Sequence, residues 1–328
     1  MNRIVLGTWP TAVERLDELS SASTGLWVKH DDASNATYGG NKVRKLEYLL
    51  GEAQVRGARR ILTIGAAGSH HVLATALHAR RINLPVAAVL VPQPVTAEVV
   101  ANLRAGLAAG LEPYVASSMP MVPAVLAKAY HRGDFLIPPG GSSVIGSLGY
   151  VEAAAEIAEV VRSGAMPDPD VIVAALGSGG TVAGLVVGAI RHGLRARIVG
   201  VHVVDPPVTS TANTVFLARM LGRRLGVDAS TSDIWRRLQT DATLLGEGYG
   251  HSTAWGERAT ERAAVEGLKL DSTYTAKAFA HALALVDKAI HRTVLYVHTL
   301  SSANMEPLLD GAPEQTSWSD DLRKLVRC

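Results

Sequence analysis

Cysteine is almost absent from this 328-residue chain: the single one, Cys328, is the last residue. No intrachain disulfide and no multi-cysteine metal site can form, and a reducing cytoplasm is the simplest compartment to expect. An excess of either charge is also missing. The 32 basic residues face 30 acidic ones, for a formal net charge of +2. That is too near neutral for nucleic acid to be the expected partner. Pairs such as Arg223-Arg224 and Arg236-Arg237 read as solvated helix faces. Met1 to Pro10 lacks a basic stretch followed by an apolar core, so no signal peptide is read. One long uncharged stretch exists, Val171 to Ile190, but Gly177-Ser178-Gly179-Gly180-Thr181 lies at its centre. Such a run is poor against lipid; a buried strand, a glycine turn and a buried helix explain it, and no membrane span is expected.

Aromatics are scarce at 5%, hydrophobic residues make up 48% and charged residues 19%. This is a globular balance dominated by Ala, Val, Leu and Gly, which suits helices lying close on a sheet. The pattern alternates strands and helices. Strands are expected at Leu26–Lys29, Arg60–Ile64, Val86–Val91, Glu112–Val115, Val171–Leu176, Arg197–Val203 and Thr293–Val297, and Pro138-Pro139-Gly140-Gly141, after Phe135-Leu136-Ile137, reads as a loop. Helices are expected at Asn41–Val55, Ser69–Arg81, Ala97–Ala109, Val122–Arg132, Ile145–Gly164 and Val182–His192. The alternation implies an α/β chain with parallel-rich sheets flanked by helices. Domain boundaries are drawn near residues 45 and 155: a small domain over 46–155, and a large one from 1–45 and 156–328. The strand at 26–29 is expected to rejoin the C-terminal half. Ligands in such folds sit beyond the carboxyl ends of the parallel strands.

Three segments carry chemistry. The first is Gly177-Ser178-Gly179-Gly180-Thr181, between a strand and a helix. Glycines let backbone N–H groups approach an anion, and the helix start adds its positive dipole end, so the segment reads as a phosphate cradle. Its spacing leaves a nicotinamide nucleotide open: Gly177 and Gly179 fit, Val182 replaces the third glycine, and Asp205 follows the next strand. The second is Tyr38-Gly39-Gly40-Asn41-Lys42-Val43-Arg44-Lys45. A lysine opening a helix is electrostatically odd. The helix end with Arg44 and Lys45 would lower the Lys42 amine's pKa, as a covalently reactive lysine requires. The third, Gly65-Ala66-Ala67-Gly68-Ser69-His70-His71, is a second anion-binding helix start suited to a carboxylate. Adjacent histidines on a helix point roughly 100° apart and chelate one metal poorly, so no metal site is expected.

Taken together, these segments resemble the fold-type II pyridoxal 5′-phosphate (PLP) enzymes, a two-domain, tryptophan synthase β-like fold. The branch is that of 1-aminocyclopropane-1-carboxylate (ACC) deaminase and D-cysteine desulfhydrase. The resemblance runs almost end to end, through Tyr38–Glu47, Ile137–Ser142, Gly146–Glu152, Gly177–Leu185, Asp271–Lys277 and Val294–Thr299. It implies that Lys42 holds PLP covalently, with Lys45 nearby. Gly177, Ser178, Gly179, Gly180 and Thr181 would take the phosphate, and Ser69 would serve at the substrate carboxylate and leaving-group side. Tyr249 and Tyr274 would be active-site tyrosines, and Thr275 would face the pyridine nitrogen, where ACC deaminases carry glutamate and the desulfhydrase branch threonine. Two departures stand out. His70 follows Ser69 where the family has an asparagine reaching the cofactor's ring oxygen, so His70 is expected to bind the cofactor through an imidazole N–H, and His298-Thr299-Leu300-Ser301-Ser302 replaces His-Thr-Gly-Gly.

The resemblance implies a homodimer acting on a small amino acid by α,β-elimination of a β-leaving group, giving a 2-oxo acid and ammonia. The alternatives are ACC-type ring opening, disfavoured by Thr275, a β-replacement enzyme with altered substrate, and a PLP-binding relative inactivated through His70 and Leu300.

Overall fold

A computed structural model of the chain describes residues 2–206 and 208–326. Its strands, in chain order, are β1 (Val13–Arg15), β2 (Gly25–His30), β3 (Arg60–Ala66), β4 (Val86–Val91), β5 (Leu111–Val115), β6 (Asp134–Ile137), β7 (Val171–Leu176), β8 (Arg197–His202), β9 (Leu238–Asp241) and β10 (Thr293–His298). Its α-helices are α1 (Asn41–Val55), α2 (His70–Arg80), α3 (Ala97–Ala108), α4 (Val122–Ala129), α5 (Val144–Arg162), α6 (Gly180–His192), α7 (Thr211–Leu225), α8 (Thr231–Arg237), α9 (Ala254–Ala263), α10 (Thr275–Lys288), α11 (Glu306–Leu309) and α12 (Asp320–Lys324).

The chain packs as two units. The smaller holds Leu46–Gly141 with the two chain ends, through Leu6 and from Ala303; the larger holds Gly7–Lys45 and Ser142–Ser302. The boundaries differ from those read near 45 and 155. Residues 142–155 go with the larger unit because α5 is one uninterrupted helix, with Gly146–Val151, Ala153, Ala154, Ile157 and Ala158 buried, and packs on α6. The segment after Ser302 goes with the smaller unit. There Arg104 of α3 donates to Glu314 Oε1 (2.5 Å), and Trp318 and Leu322 are buried.

In the smaller unit β5-β4-β3-β6 form an all-parallel sheet. The run Val86-Ala-Ala-Val-Leu-Val91 is buried throughout, as a strand covered on both faces requires. Leu62, Ala87, Val89 and Val122 centre its core. In the larger unit the order is β1-β2-β10-β7-β8-β9, parallel except for β1 on β2. Leu26 sits opposite Val294, so the early strand does rejoin the late half of the chain. Leu26, Val28, Val173, Phe279, Val294 and Tyr296 fill the core on one face of this sheet. The carboxyl ends of β7 and β10 carry the Gly177 turn and His298. Among the described residues, no helix is long and apolar enough to cross a membrane.

Candidate active site

The loop before α1 is clamped by the segment after β10. Asn41 N–H donates to Thr299 O (3.1 Å), Gly39 N–H to Ser301 Oγ (2.8 Å), and Gly40 N–H to Asp31 O (2.9 Å). A Cβ on Gly40 would meet Thr299 O at 2.7 Å. Ser301, standing where the family resemblance expects glycine, thus bonds the Lys42 loop.

Arg44 sets how α1 is turned. Its guanidinium binds Asp31 (2.8 and 2.9 Å) and Glu156 (both 2.8 Å). Lys29 Nζ donates to Glu156 (2.7 Å) and the Tyr150 hydroxyl to Asp31 (2.7 Å). With Arg44 fixed, Lys42 and Lys45, three residues apart, share another face of the helix. Arg44's charge is matched by two carboxylates, so it is not what weakens Lys42, contrary to the sequence expectation. Burial does that, bringing the Lys42 amine to about 8 against an opposing pull from Asp271. Lys45 is held well below the ordinary lysine range, first by burial and then by the charge of Lys42.

The glycine turn joins these lysines. Gly179 caps α6 in the left-handed region (φ 89°) and α6 begins at Gly180. Gly180 N–H donates to Ser142 Oγ (3.0 Å), which also pairs with Ser178 Oγ (2.7 Å) and accepts from Lys45 Nζ (3.4 Å). A Cβ at Gly180 would lie 2.6 Å from Ser142 Oγ. Asn41 Nδ2 donates to Thr181 Oγ1 (3.3 Å) across 140 residues of sequence, and Lys42 Nζ to Asn41 Oδ1 (2.7 Å). A lysine amine and a phosphate-type turn, far apart in the chain, therefore meet within reach of one small molecule. Ser142 and Asn41 were not singled out from sequence. The segment Ile137–Ser142 carries part of the family resemblance with no site role expected for its serine, and that serine is the residue that enters the turn.

On the other side stand the tyrosines. The Tyr274 ring centre is 5.9 Å from Lys42 Nζ, and its hydroxyl donates to that of Tyr249 (3.0 Å). A Cβ on Gly177 would touch Val204 at 3.6 Å and the Tyr274 ring at 3.7 Å, so the turn lies against this ring. Thr275 is buried, and its hydroxyl accepts from Asp271 N–H (2.7 Å) and donates to Asp271 Oδ1 (3.0 Å). It caps the Asp271 turn at the start of α10.

Ser69 and His70 lie in the smaller unit. Ser69 caps α2, its Oγ accepting from Val72 N–H (3.4 Å). His70 Nε2 faces Glu98 (3.2 Å) and Nδ1 faces Asn102 Nδ2 (3.4 Å). Both ring nitrogens are engaged, so His70 would have to give up a partner to bond a cofactor oxygen. His71 is turned away from it into Thr63 (2.9 Å).

The residues of the larger unit fit a small ring carrying an aldehyde and a phosphate. Two amines of weakened basicity gain most from an adjacent dianion, and the glycine turn beside them, with Gly179 at positive φ and no room for a Cβ at Gly180, offers backbone N–H groups to it. Such a site, at the carboxyl ends of parallel strands, marks an α/β enzyme working through a phosphorylated aldehyde cofactor. The chain belongs to the pyridoxal-phosphate dependent enzymes, whose family profile matches residues 4–299. It is 34% identical over 308 residues to a Pyrococcus furiosus protein provisionally named 1-aminocyclopropane-1-carboxylate deaminase, covering 90% of this chain and 91% of that one. It is also 34% identical over 327 residues to nocardicin C-9′ epimerase of Nocardia uniformis (95% and 97% covered). D-cysteine desulfhydrase of Salmonella newport is 32% identical over 310 residues (88% and 91%). A solved ACC deaminase homologue superposes with TM-score 0.79 at 29% identity, covering 94% and 96% of the two chains. The nicotinamide alternative falls away with this membership. Asp205, its ribose-binding candidate, instead accepts the Tyr249 N–H (3.0 Å).

Proposed function

We propose that this PLP enzyme is a lyase that removes a β-leaving group from a small amino acid, releasing a 2-oxo acid and ammonia. The observation that carries the reading is the meeting of the Lys42 amine, the Gly177–Thr181 turn and the Tyr249–Tyr274 hydroxyl pair in the larger unit. When bound, PLP supplies the electron sink that lets a bond at the amino acid's Cα break. The backbone N–H groups of the turn, the start of α6 and Lys45 bind the phosphate. Lys42 Nζ provides the covalent attachment and, released, takes the Cα proton. In the cofactor-free chain burial already weakens this amine, favouring the neutral form that a base requires. The paired hydroxyls of Tyr274 and Tyr249 offer a proton to the departing group. Thr275 brings no charge of its own, and its hydroxyl is committed to Asp271, which supports rapid loss of a leaving group over ring opening. Ser69 is assigned to the substrate carboxylate on the family resemblance.

The test is a screen of D- and L-amino acids with thiol, sulfonate or chloride at Cβ, alongside ACC, reading 2-oxo acid and ammonia. Release from a β-substituted amino acid supports the proposal. 2-Oxobutanoate from ACC alone would replace it with ring opening. Exchange of the Cα proton without ammonia release would replace it with epimerisation.

A further inference from the structure

The loop that brings Tyr249 to Tyr274 has little packing of its own: Ala242, Thr243, Gly246 and Glu247 are exposed. An ammonium holds it. Lys277, in the first turn of α10, is fully buried, and its Nζ donates to Leu245 O (2.8 Å) and Gly248 O (3.0 Å). Gly248 N–H bonds back to Leu245 O (3.4 Å), so both acceptor carbonyls belong to one tight turn. The next N–H, that of Tyr249, donates to Asp205 Oδ2 (3.0 Å). Gly248 has φ +109°, and a Cβ there would come within 2.5 Å of the same carboxylate oxygen. A lysine amine has three donors and no acceptor, and burying it without fixed oxygens is costly. The turn and the lysine therefore require each other. Because Tyr274 and Lys277 open the same helix, one element presents the first tyrosine and grips the loop that presents the second.

We infer that Lys277 is a positioning residue whose ammonium acts as a fixed internal cation, seating the loop Leu245–Gly250 so that the Tyr249 hydroxyl meets that of Tyr274. This rests on the proposal that the pair works beside Lys42. The lysine touches neither the reacting atoms nor the phosphate cradle. Its effect passes through two backbone carbonyls, so charge and size at this point matter more than side-chain identity. A small ammonium supplied from solution should replace it.

The experiment compares the PLP-loaded enzyme with Lys277→Met and Lys277→Ala by amide hydrogen exchange. In Lys277→Met, exchange across 243–250 is expected to rise at least about tenfold while β7 and β10 keep their protection. Turnover should fall, and the fall should largely vanish in a Tyr249→Phe background, because both changes remove the same hydroxyl contact. Methylammonium added to Lys277→Ala should restore loop protection, whereas bulky tetramethylammonium should not. Unchanged loop exchange, equal acceleration in β7 and β10, or failure of both variants to fold would overturn the inference. If the wild-type chain failed to take up PLP, the cofactor reading would fail, while the exchange comparison would still decide the role of Lys277.

Discussion

The amine of Lys42 lies 5.9 Å from the centre of the Tyr274 ring. At that distance the ring interacts with the amine's charge, so a group held on Lys42 would be within the neighbourhood of Tyr274. Tyr274→Phe keeps the ring and removes only the proton carrier. Its visible cofactor absorbance should match wild type, while turnover drops by about 10²–10⁴, the usual worth of a positioned acid. Absorbance spectra with steady-state rates check this; full turnover would remove the hydroxyl pair from the mechanism.

The lowered basicity of Lys42 predicts a pH window. Burial brings the amine to about 8, so the folded, cofactor-free chain binds fewer protons than the unfolded one between there and the ordinary lysine range. Stability of that form therefore rises with pH through this window. Modification of Lys42 by an amine-directed reagent, followed by mass spectrometry, should accelerate through pH 8. Acceleration only near the ordinary lysine range would contradict the burial account.

Gly180→Ala tests the cradle. The added methyl would lie 2.6 Å from Ser142 Oγ, with the Ser142 Cα and Cβ at 3.0 Å, so either α6 or the Ser142 loop must shift. Overpacking of this kind costs about 1–3 kcal/mol. The loss should appear in PLP affinity, read by equilibrium dialysis of the refilled enzyme. Unchanged affinity would place the phosphate elsewhere.

Much of this was legible in the sequence because the determining patterns are local. Asn41–Val55, Val86–Val91 and Val171–Leu176 have the limits their apolar spacing predicts. Other elements were not. β1 (Val-Glu-Arg) and β9 (Leu-Gln-Thr-Asp) are short and partly polar because they edge the larger sheet, and edge strands bury too little to show a pattern. The origin of Lys42's lowered basicity was hidden for a different reason. Arg44 looked like an uncompensated neighbouring cation, but its partners Asp31 and Glu156 lie 13 and 112 residues away. Ser142 was hidden in the same way, its contact with Gly180 spanning 38 residues.

The Arg44 network predicts acid sensitivity. Burial alone would raise Asp31 and Glu156, but the charge and hydrogen bonds of Arg44 outweigh it and hold both below the ordinary carboxylate range. Their contribution is in place above the unfolded-state values and is lost as pH falls through the depressed ones. The urea midpoint should therefore drop steeply only below about pH 4. Asp31→Asn leaves Arg44 short of a buried charge partner and should cost about 3–5 kcal/mol at neutral pH. A loss under about 1 kcal/mol would mean the network does not anchor α1.

The central claim is a covalent link between Lys42 and the cofactor seated on the Gly177 turn. Its most direct test is borohydride reduction of the PLP-loaded enzyme followed by peptide mass spectrometry. The pyridoxyl mass is expected on Lys42, absent from Lys42→Ala together with the visible absorbance. The label on Lys45 or another lysine, or a Lys42→Ala protein that keeps both colour and turnover, would contradict it.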